Sequence, residues 1–301
     1  MVTTIAALAA LWFTSQSLRA TSEQAGLARQ TAITDRFAKA VEQLGNTGSM
    51  DIRLGGIQLL RKLAEDSEAD RAPIYQMLGA FVRSHAPNRP DCGTDNKQLD
   101  IDVQAALTVI GSRGAGRTES IDLSNTCLAR ADLTGASLQN VKFRDVNLSK
   151  AYLQQADMRS AQVISSNLTK VNLSEANLSL ATIMGGTLEN AVFLQTNLTK
   201  VTFSGVDLRK ADLGTVDLAG AILFLVDLRG ANLGTGFKMV WPSIPLSDLE
   251  TSEYVSMRGA SLRSARFDEE TNWPPGFQPQ SKPYMPRRYA DYCPQGWPED
   301  C

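Results

Sequence analysis

Histidine is almost absent from this 301-residue chain, where His85 is the single one. A zinc site built on imidazole is hard to complete without more, and a lone base with no recognisable nucleophile beside it makes poor catalytic machinery. Its position before Pro87, where a helical pattern ends, predicts a helix C-terminal cap instead. Cysteine is scarce too. Cys92, Cys127, Cys293 and Cys301 show no metal-ligand spacing, and in a reducing cytoplasm they are expected to be free thiols; were the chain on the other side of a membrane, Cys293 and Cys301 would be the pair to bridge. An excess of charge is missing as well: 30 basic residues face 32 acidic ones, a net charge of −2 that points to no polyanionic or polycationic partner and argues against nucleic acid. A working phosphate loop is also lacking. Gly111-Ser-Arg-Gly-Ala-Gly116-Arg117-Thr118 carries Arg where a Walker A loop needs Lys, and it comes after a helical pattern rather than a strand, so it reads as a linker. With no metal set, no cofactor motif and no nucleophile and base pair, the expectation is a protein that is not an enzyme and holds no cofactor.

Charge is missing in a second, local sense. Residues 1–18 contain no charged side chain, and Ile5 to Phe13 is almost wholly apolar. As a helix, 18 residues reach about 27 Å, close to the hydrocarbon thickness of a bilayer. Trp12 reads as an interface residue, and Arg19, Arg29, Arg36 and Lys39 as a positive flank. Residues 1–19 are thus expected to anchor the chain at a membrane with its bulk in the cytoplasm; a buried or frayed N-terminal helix is the competing reading. From 20 to 86 the pattern is helical. Phe37, Val41 and Leu44 form one stripe stopped by Gly45, Ile52, Ile57, Leu60 and Leu63 a second, and Ile74, Leu78, Phe81 and Val82 a third. Residues 87–97, with Pro87, Pro90 and Gly93, form a linker. Residues 98–120 hold a short helix, Ile101 to Ile110, whose apolar face is expected to act as a lid on the segment beginning at Ile121.

What is abundant is repetition. From Ile121 to Thr235 the chain repeats every five residues without a slip, and all twenty-three positions from Leu123 to Leu233 in steps of five are apolar: Leu, except Phe143, Met158, Val163, Ile183, Phe193 and Phe203. Two residues before each sits a small or β-branched side chain such as Ala131, Ala136, Val141 or Ala151, and between them usually Asp or Asn. A period of five fits neither the 3.6 of a helix nor the 2 of a strand. It fits a three-residue strand, in–out–in, succeeded by two residues that turn the chain, so that the backbone coils around a thin apolar axis with successive coils about 4.8 Å apart. Residues 236–254 break the register. The repeat resumes over 255–268 at Val255-Ser-Met257, Ala260-Ser-Leu262 and Ala265-Arg-Phe267, and 269–301 read as an irregular segment closing the last coil.

These units, as in Ala131-Asp132-Leu133-Thr134-Gly135 and Ala211-Asp212-Leu213, resemble the pentapeptide-repeat family. The resemblance implies a mainly β protein, a right-handed four-sided β-solenoid with four pentapeptides per coil, here preceded by an α-helical N-terminal region. Residues twenty apart would then stack in columns. One outer column carries Arg130, Lys150, Lys170 and Lys210, with Arg209 and Arg229 adjacent: a basic ladder suited to anionic lipid or an acidic protein face, or simply a solvated face neutralised by carboxylates such as Glu189. Another, interrupted by Ser204, places Ile164, Met184 and Phe224 outward, with Leu180, Ile222 and Leu225 close by, either as a partner site or as a dock for the chain's own helices. Some family members resemble duplex DNA and protect type II topoisomerases, a role that needs a strongly acidic rod. Ten basic and ten acidic residues between 121 and 235 make a poor polyphosphate mimic, so a membrane-tethered scaffold for a protein partner is the preferred expectation, with a homo-oligomer left open.

Overall fold

The computed structural model describes residues 2–94, 98–114, 119–233 and Thr271, and the chain divides into two compact units, 1–74 and 75–301. The insertion at 236–254, the resumed repeats at 255–268 and the closing segment, Thr271 apart, lie outside the described residues, as do Cys293 and Cys301.

In the first unit, α1 (Val2–Leu44) runs unbroken through both the charge-free stretch and the first expected helical stripe, so the two are one helix. It meets α2 (Met50–Asp66) near its end, where Ala40 and Leu44 are buried. Gly56 explains the close crossing: a Cβ there would stand 2.7 Å from the Leu44 nitrogen and 2.8 Å from the Ala40 carbonyl oxygen. Gly56, Ile57, Leu60, Leu63 and Ala64 form the buried face of α2. Val41 and Ile52, expected in the stripes, are instead exposed, because the crossing is made by the smaller Ala40 and by Gly56. Among the described residues no helix is long and apolar enough to cross a membrane; most side chains of 1–20, on which the anchor expectation rests, lie outside the described ones.

The second unit is the solenoid with its lid. Helix α3 (Arg71–His85) leads into it, α4 (Ile101–Gly111) comes after the linker, and five three-residue strands stack in parallel at twenty-residue intervals: β1 (Lys142–Arg144), β2 (Gln162–Ile164), β3 (Thr182–Met184), β4 (Thr202–Ser204) and β5 (Ile222–Phe224). The register pairs Phe143 with Val163, Ile183, Phe203 and Leu223 in one column. The other three faces stack through single parallel bridges with the same spacing, such as Asp132 to Tyr152 to Asn172. All twenty-three repeat positions from Leu123 to Leu233 are at most 2% exposed, so the leucines form the axis, as the period predicts.

The corners show why the repeat wants Asp or Asn before the leucine. A side-chain oxygen of Asp122, Asp132, Asn147, Asn167, Asn197 or Asp217 accepts a hydrogen bond from the backbone N–H two residues on, at 2.9–3.1 Å. The turn is then closed from the next small residue back to the central carbonyl, as in Ala131 N–H to Leu128 O at 3.0 Å. Its third residue adopts positive φ. Sixteen such positions are not glycine, Lys150, Lys170, Glu175 and Leu180 among them, and a non-glycine residue there costs on the order of 1 kcal/mol. Coil-to-coil hydrogen bonds offset this cost: the N–H of Lys150 reaches Thr169 O at 2.9 Å and that of Lys170 reaches Glu189 O at 2.9 Å.

Candidate interaction surfaces

A stacked solenoid leaves backbone groups unpaired on its first coil, and the central residue of each face (Asp122, Cys127, Asp132, Ser137) is where they point away from the next coil. Each of the four is met by a different part of the lid. The Arg83 guanidinium on α3 donates to the Asp122 carbonyl, the Cys127 N–H donates to Ala86 O (2.7 Å), and Ser137 N–H donates to Gly111 O (2.8 Å). On α4, the Gln104 amide closes its face completely, donating to Asp132 O at 2.6 Å and accepting from the Asp132 N–H at 3.0 Å. Arg113 completes the closure. Its guanidinium, only 2% exposed, donates to the carbonyls of Ser137 (2.9 Å), Glu119 (2.7 Å) and Gln139 (2.6 Å). Burial pulls its pKa below the ordinary arginine value, with Glu119 opposing the shift. Helix α4 and the residues after it thus lie against the first coil, and the Gly-Ser-Arg segment read as a linker supplies the most buried cation there. Helix α4 ends at Gly111, the first residue of that segment, the reverse of a phosphate loop, and residues 115–118 lie outside the described ones.

Between α3 and α4 the linker lies on the second face. Pro87 pairs antiparallel with Thr126, Asn88 N–H donates to Asn125 O (2.8 Å), its side chain reaches Asp145 O (2.9 Å), and Asn147 Nδ2 donates to Cys92 O (2.8 Å). Cys92 and Cys127 form a disulfide, with Cα atoms 5.7 Å apart. This corrects the expectation of free thiols for these two. They are 35 residues apart with no telling spacing, and only the path of the linker across the first coil brings them together. A cavity of about 200 Å³ opens beside them, lined by His85, Arg89, Asp91 and Asp100 among others. His85 does act on its helix end: Nδ1 lies 3.0 Å from Phe81 O, and the ring stacks on Phe81 with centroids 4.0 Å apart.

The apolar column sits on the strand face, where Arg144, Ile164, Met184, Ser204 and Phe224 are register partners. Met184 is 45% and Ile222 48% exposed, while Ile164 and Phe224 are half-buried. Leu225 does not belong to the exposed set: it occupies a corner at φ 53° and is 5% exposed. Leu180 (57% exposed) extends the patch from the neighbouring corner. Tyr152 and Leu194, both exposed, lie on a different face; each replaces a polar residue of the repeat, which was the available signal.

Two of the six cations of the basic ladder are neutralised by carboxylates of their own units. Arg209 and Arg229 fold back onto Asp207 (2.7 Å) and Asp227 (2.6 Å), each carboxylate two residues earlier, and Arg209 also approaches Glu189 at 3.8 Å. The hydrogen bond with Asp207 pushes the Arg209 pKa above its usual value. Arg159 and Asp157 repeat the device at 2.6 Å on another face. Arg130 is half-buried, which leaves Lys150, Lys170 and Lys210 as the exposed cations of the column.

Geometry and sequence define a capped repeat solenoid. The sequence model described as Pentapeptide repeats matches it in eight copies, over 120–155, 147–185, 176–214 and 203–234. Residues 120–234 are therefore a run of pentapeptide repeats. Among solved structures, the chain is similar to QnrB1, a plasmid-mediated fluoroquinolone resistance protein (19% identity, 50% of this chain and 78% of that one, TM-score 0.23). It is similar to HetL, involved in heterocyst differentiation regulation in the cyanobacterium Nostoc (22% identity, 48% and 84%, TM-score 0.20), and to a pentapeptide repeat protein of the cyanobacterium Cyanothece (22% identity, 47% and 90%, TM-score 0.24). No curated protein matches the chain.

Proposed function

We propose that this chain is a non-enzymatic scaffold, held at a membrane by residues 1–19, that presents the strand face of its solenoid to a protein partner. The observation that carries this reading is the apolar patch of Ile164, Met184 and Ile222, with Leu180 beside it, on a face whose parallel strands fix the side chains at regular intervals. A flat β surface loses little conformational entropy on binding, because its backbone is already ordered. Ile164 and Met184 stack on adjacent coils, with Ser204 and Thr202 of β4 between them and Ile222, and exposed apolar groups gain from being covered. Membrane tethering is supported by the absence of charge from residues 1–18. The balanced charge of the rod weighs against topoisomerase binding by DNA mimicry.

Proximity labelling in the native cell tests the scaffold. Met184→Asp with Ile222→Asp should remove specific neighbours while leaving melting unchanged, since both side chains point to solvent. A labelling pattern identical to that of the unaltered chain refutes the assignment of this face. Deletion of residues 1–18 should move the protein from the membrane to the soluble fraction, and an unchanged distribution refutes the tether.

A further inference from the structure

We infer that the Cys92–Cys127 disulfide is a structural clasp fastening the lid to the first coil, and that the solenoid therefore matures in an oxidising compartment, whichever partner it meets. Position 127 is where the repeat places Asp or Asn, the residue whose side chain accepts the corner N–H in the Asp122, Asp132 and Asn147 units. Cysteine there gives up that hydrogen bond, and the disulfide is what it gains in exchange. The other half is held in place independently: the Cys92 carbonyl takes the Asn147 amide, Pro87 pairs with Thr126, and Asn88 spans to Asn125 and Asp145. Gly93, at φ 76°, lies so close to the coil that a Cβ would stand 2.7 Å from Ser149 Oγ and 3.1 Å from the Ala129 Cβ. These contacts hold the two sulfurs together before any bond forms, so an oxidant closes the bridge without rearranging the fold.

The chemistry needs a disulfide oxidant of the thiol–disulfide oxidoreductase class. One thiolate of the pair attacks the oxidant's disulfide to give a mixed disulfide, and the second displaces the oxidant's sulfur. The two cysteines lose two protons and two electrons, and the oxidant leaves as a dithiol. Both cysteines line the cavity of about 200 Å³, which gives the oxidant's sulfur a route to them. Such bonds persist in secreted, lumenal and periplasmic compartments and are rare in a glutathione-buffered cytosol. Arg19, Arg29, Arg36 and Lys39, taken alone, favour the cytoplasmic side. The two observations make opposite claims, and one experiment decides between them.

The full chain, carrying Cys293→Ser and Cys301→Ser, is expressed in its own cell, quenched in acid and alkylated with a maleimide before and after reduction. The expected result is no labelling of Cys92 or Cys127 until reductant is added, with a linked peptide pair in the mass spectrum. Labelling of both before reduction overturns the compartment assignment. On the purified protein, reduction should lower the melting temperature and speed amide exchange in residues 121–149 while leaving 200–232 unchanged. Unchanged melting and exchange overturn the role as a clasp. Neither measurement depends on the partner or on the membrane, so failure here leaves the scaffold reading to its own test.

Discussion

Replacing Arg113 with Met removes a group that, beside the Ser137 N–H to Gly111 O bond, ties the lid to the fourth face of the first coil. Three carbonyls lose a charged donor, each such hydrogen bond being worth about 1.5–3 kcal/mol. Against this gross loss stands the relief of no longer burying a cation, itself several kcal/mol. The carbonyls of Ser137, Glu119 and Gln139 lie at the end of the rod, where water can partly replace the guanidinium, so the net cost falls near the lower end for a broken buried polar contact, about 3 kcal/mol. In a solenoid that energy is not shared evenly, because each coil touches only its neighbours. Protection of amides in the first two rungs, such as Ser137 (to Gly111 O) and Asp157 (to Ala136 O), should fall by about two powers of ten, at 1.4 kcal/mol per tenfold. The amides of Lys210 and Asn232, bonded to Arg229 O and Ala211 O, should keep theirs. Arg113→Lys should recover less than half of the loss, since a point ammonium cannot fork to three carbonyls. Hydrogen exchange read by mass spectrometry measures this directly. Equal loss along the whole rod, or none at the capped end, would refute both the lid assignment and the nearest-neighbour reasoning.

Gly186→Ala should lower the melting temperature sharply, by the equivalent of about 2–4 kcal/mol, because a Cβ would stand 2.1 Å from the Ser166 carbonyl oxygen and φ is 78°; a thermal melt within error of the parent would show that this corner relaxes. Burial alone would raise the pKa of Asp157, but hydrogen bonds from the Arg159 side chain, Gln139 and the Arg159 N–H together hold it below the ordinary carboxylate value. A folded-state pKa below the unfolded one adds stability that is present above about pH 4 and lost as the pH falls through the folded value. Asp157→Asn should therefore show a shallower fall of melting temperature on acidification than the parent, and parallel pH curves for the two would remove this carboxylate from the acid response.

Much of the fold was legible because a period of five has few physical solutions. The twenty-three apolar positions specify an axis, and the columns of twenty emerge once four faces make a coil, as the run from Phe143 to Leu223 shows. What was hidden is the work of the polar residues. Asp and Asn before each leucine read as outward-facing, whereas their main task is to accept a hydrogen bond at the next corner, a local geometry that no periodicity reports. The lid was legible as an apolar helix, but Gln104 and Arg113 were not, because their partners are backbone atoms and backbone leaves no trace in side-chain pattern.

The surfaces divide in the same way. Lys150, Lys170 and Lys210 are exposed, while Arg209 and Arg229 turn back to carboxylates two residues earlier, a pairing carried by the repeated Val-Asp-Leu-Arg of 206–209 and 226–229. Across a corner, position i+2 folds toward position i, so an arginine two after an aspartate is held by the same turn that the aspartate caps. Charge on this rod is therefore decided corner by corner: a lysine at the positive-φ position projects outward, and an arginine one place earlier closes on its own unit. Converting Arg209 to Lys, and so shortening the reach of its donors to Asp207, would test whether that rule sets the field a partner meets.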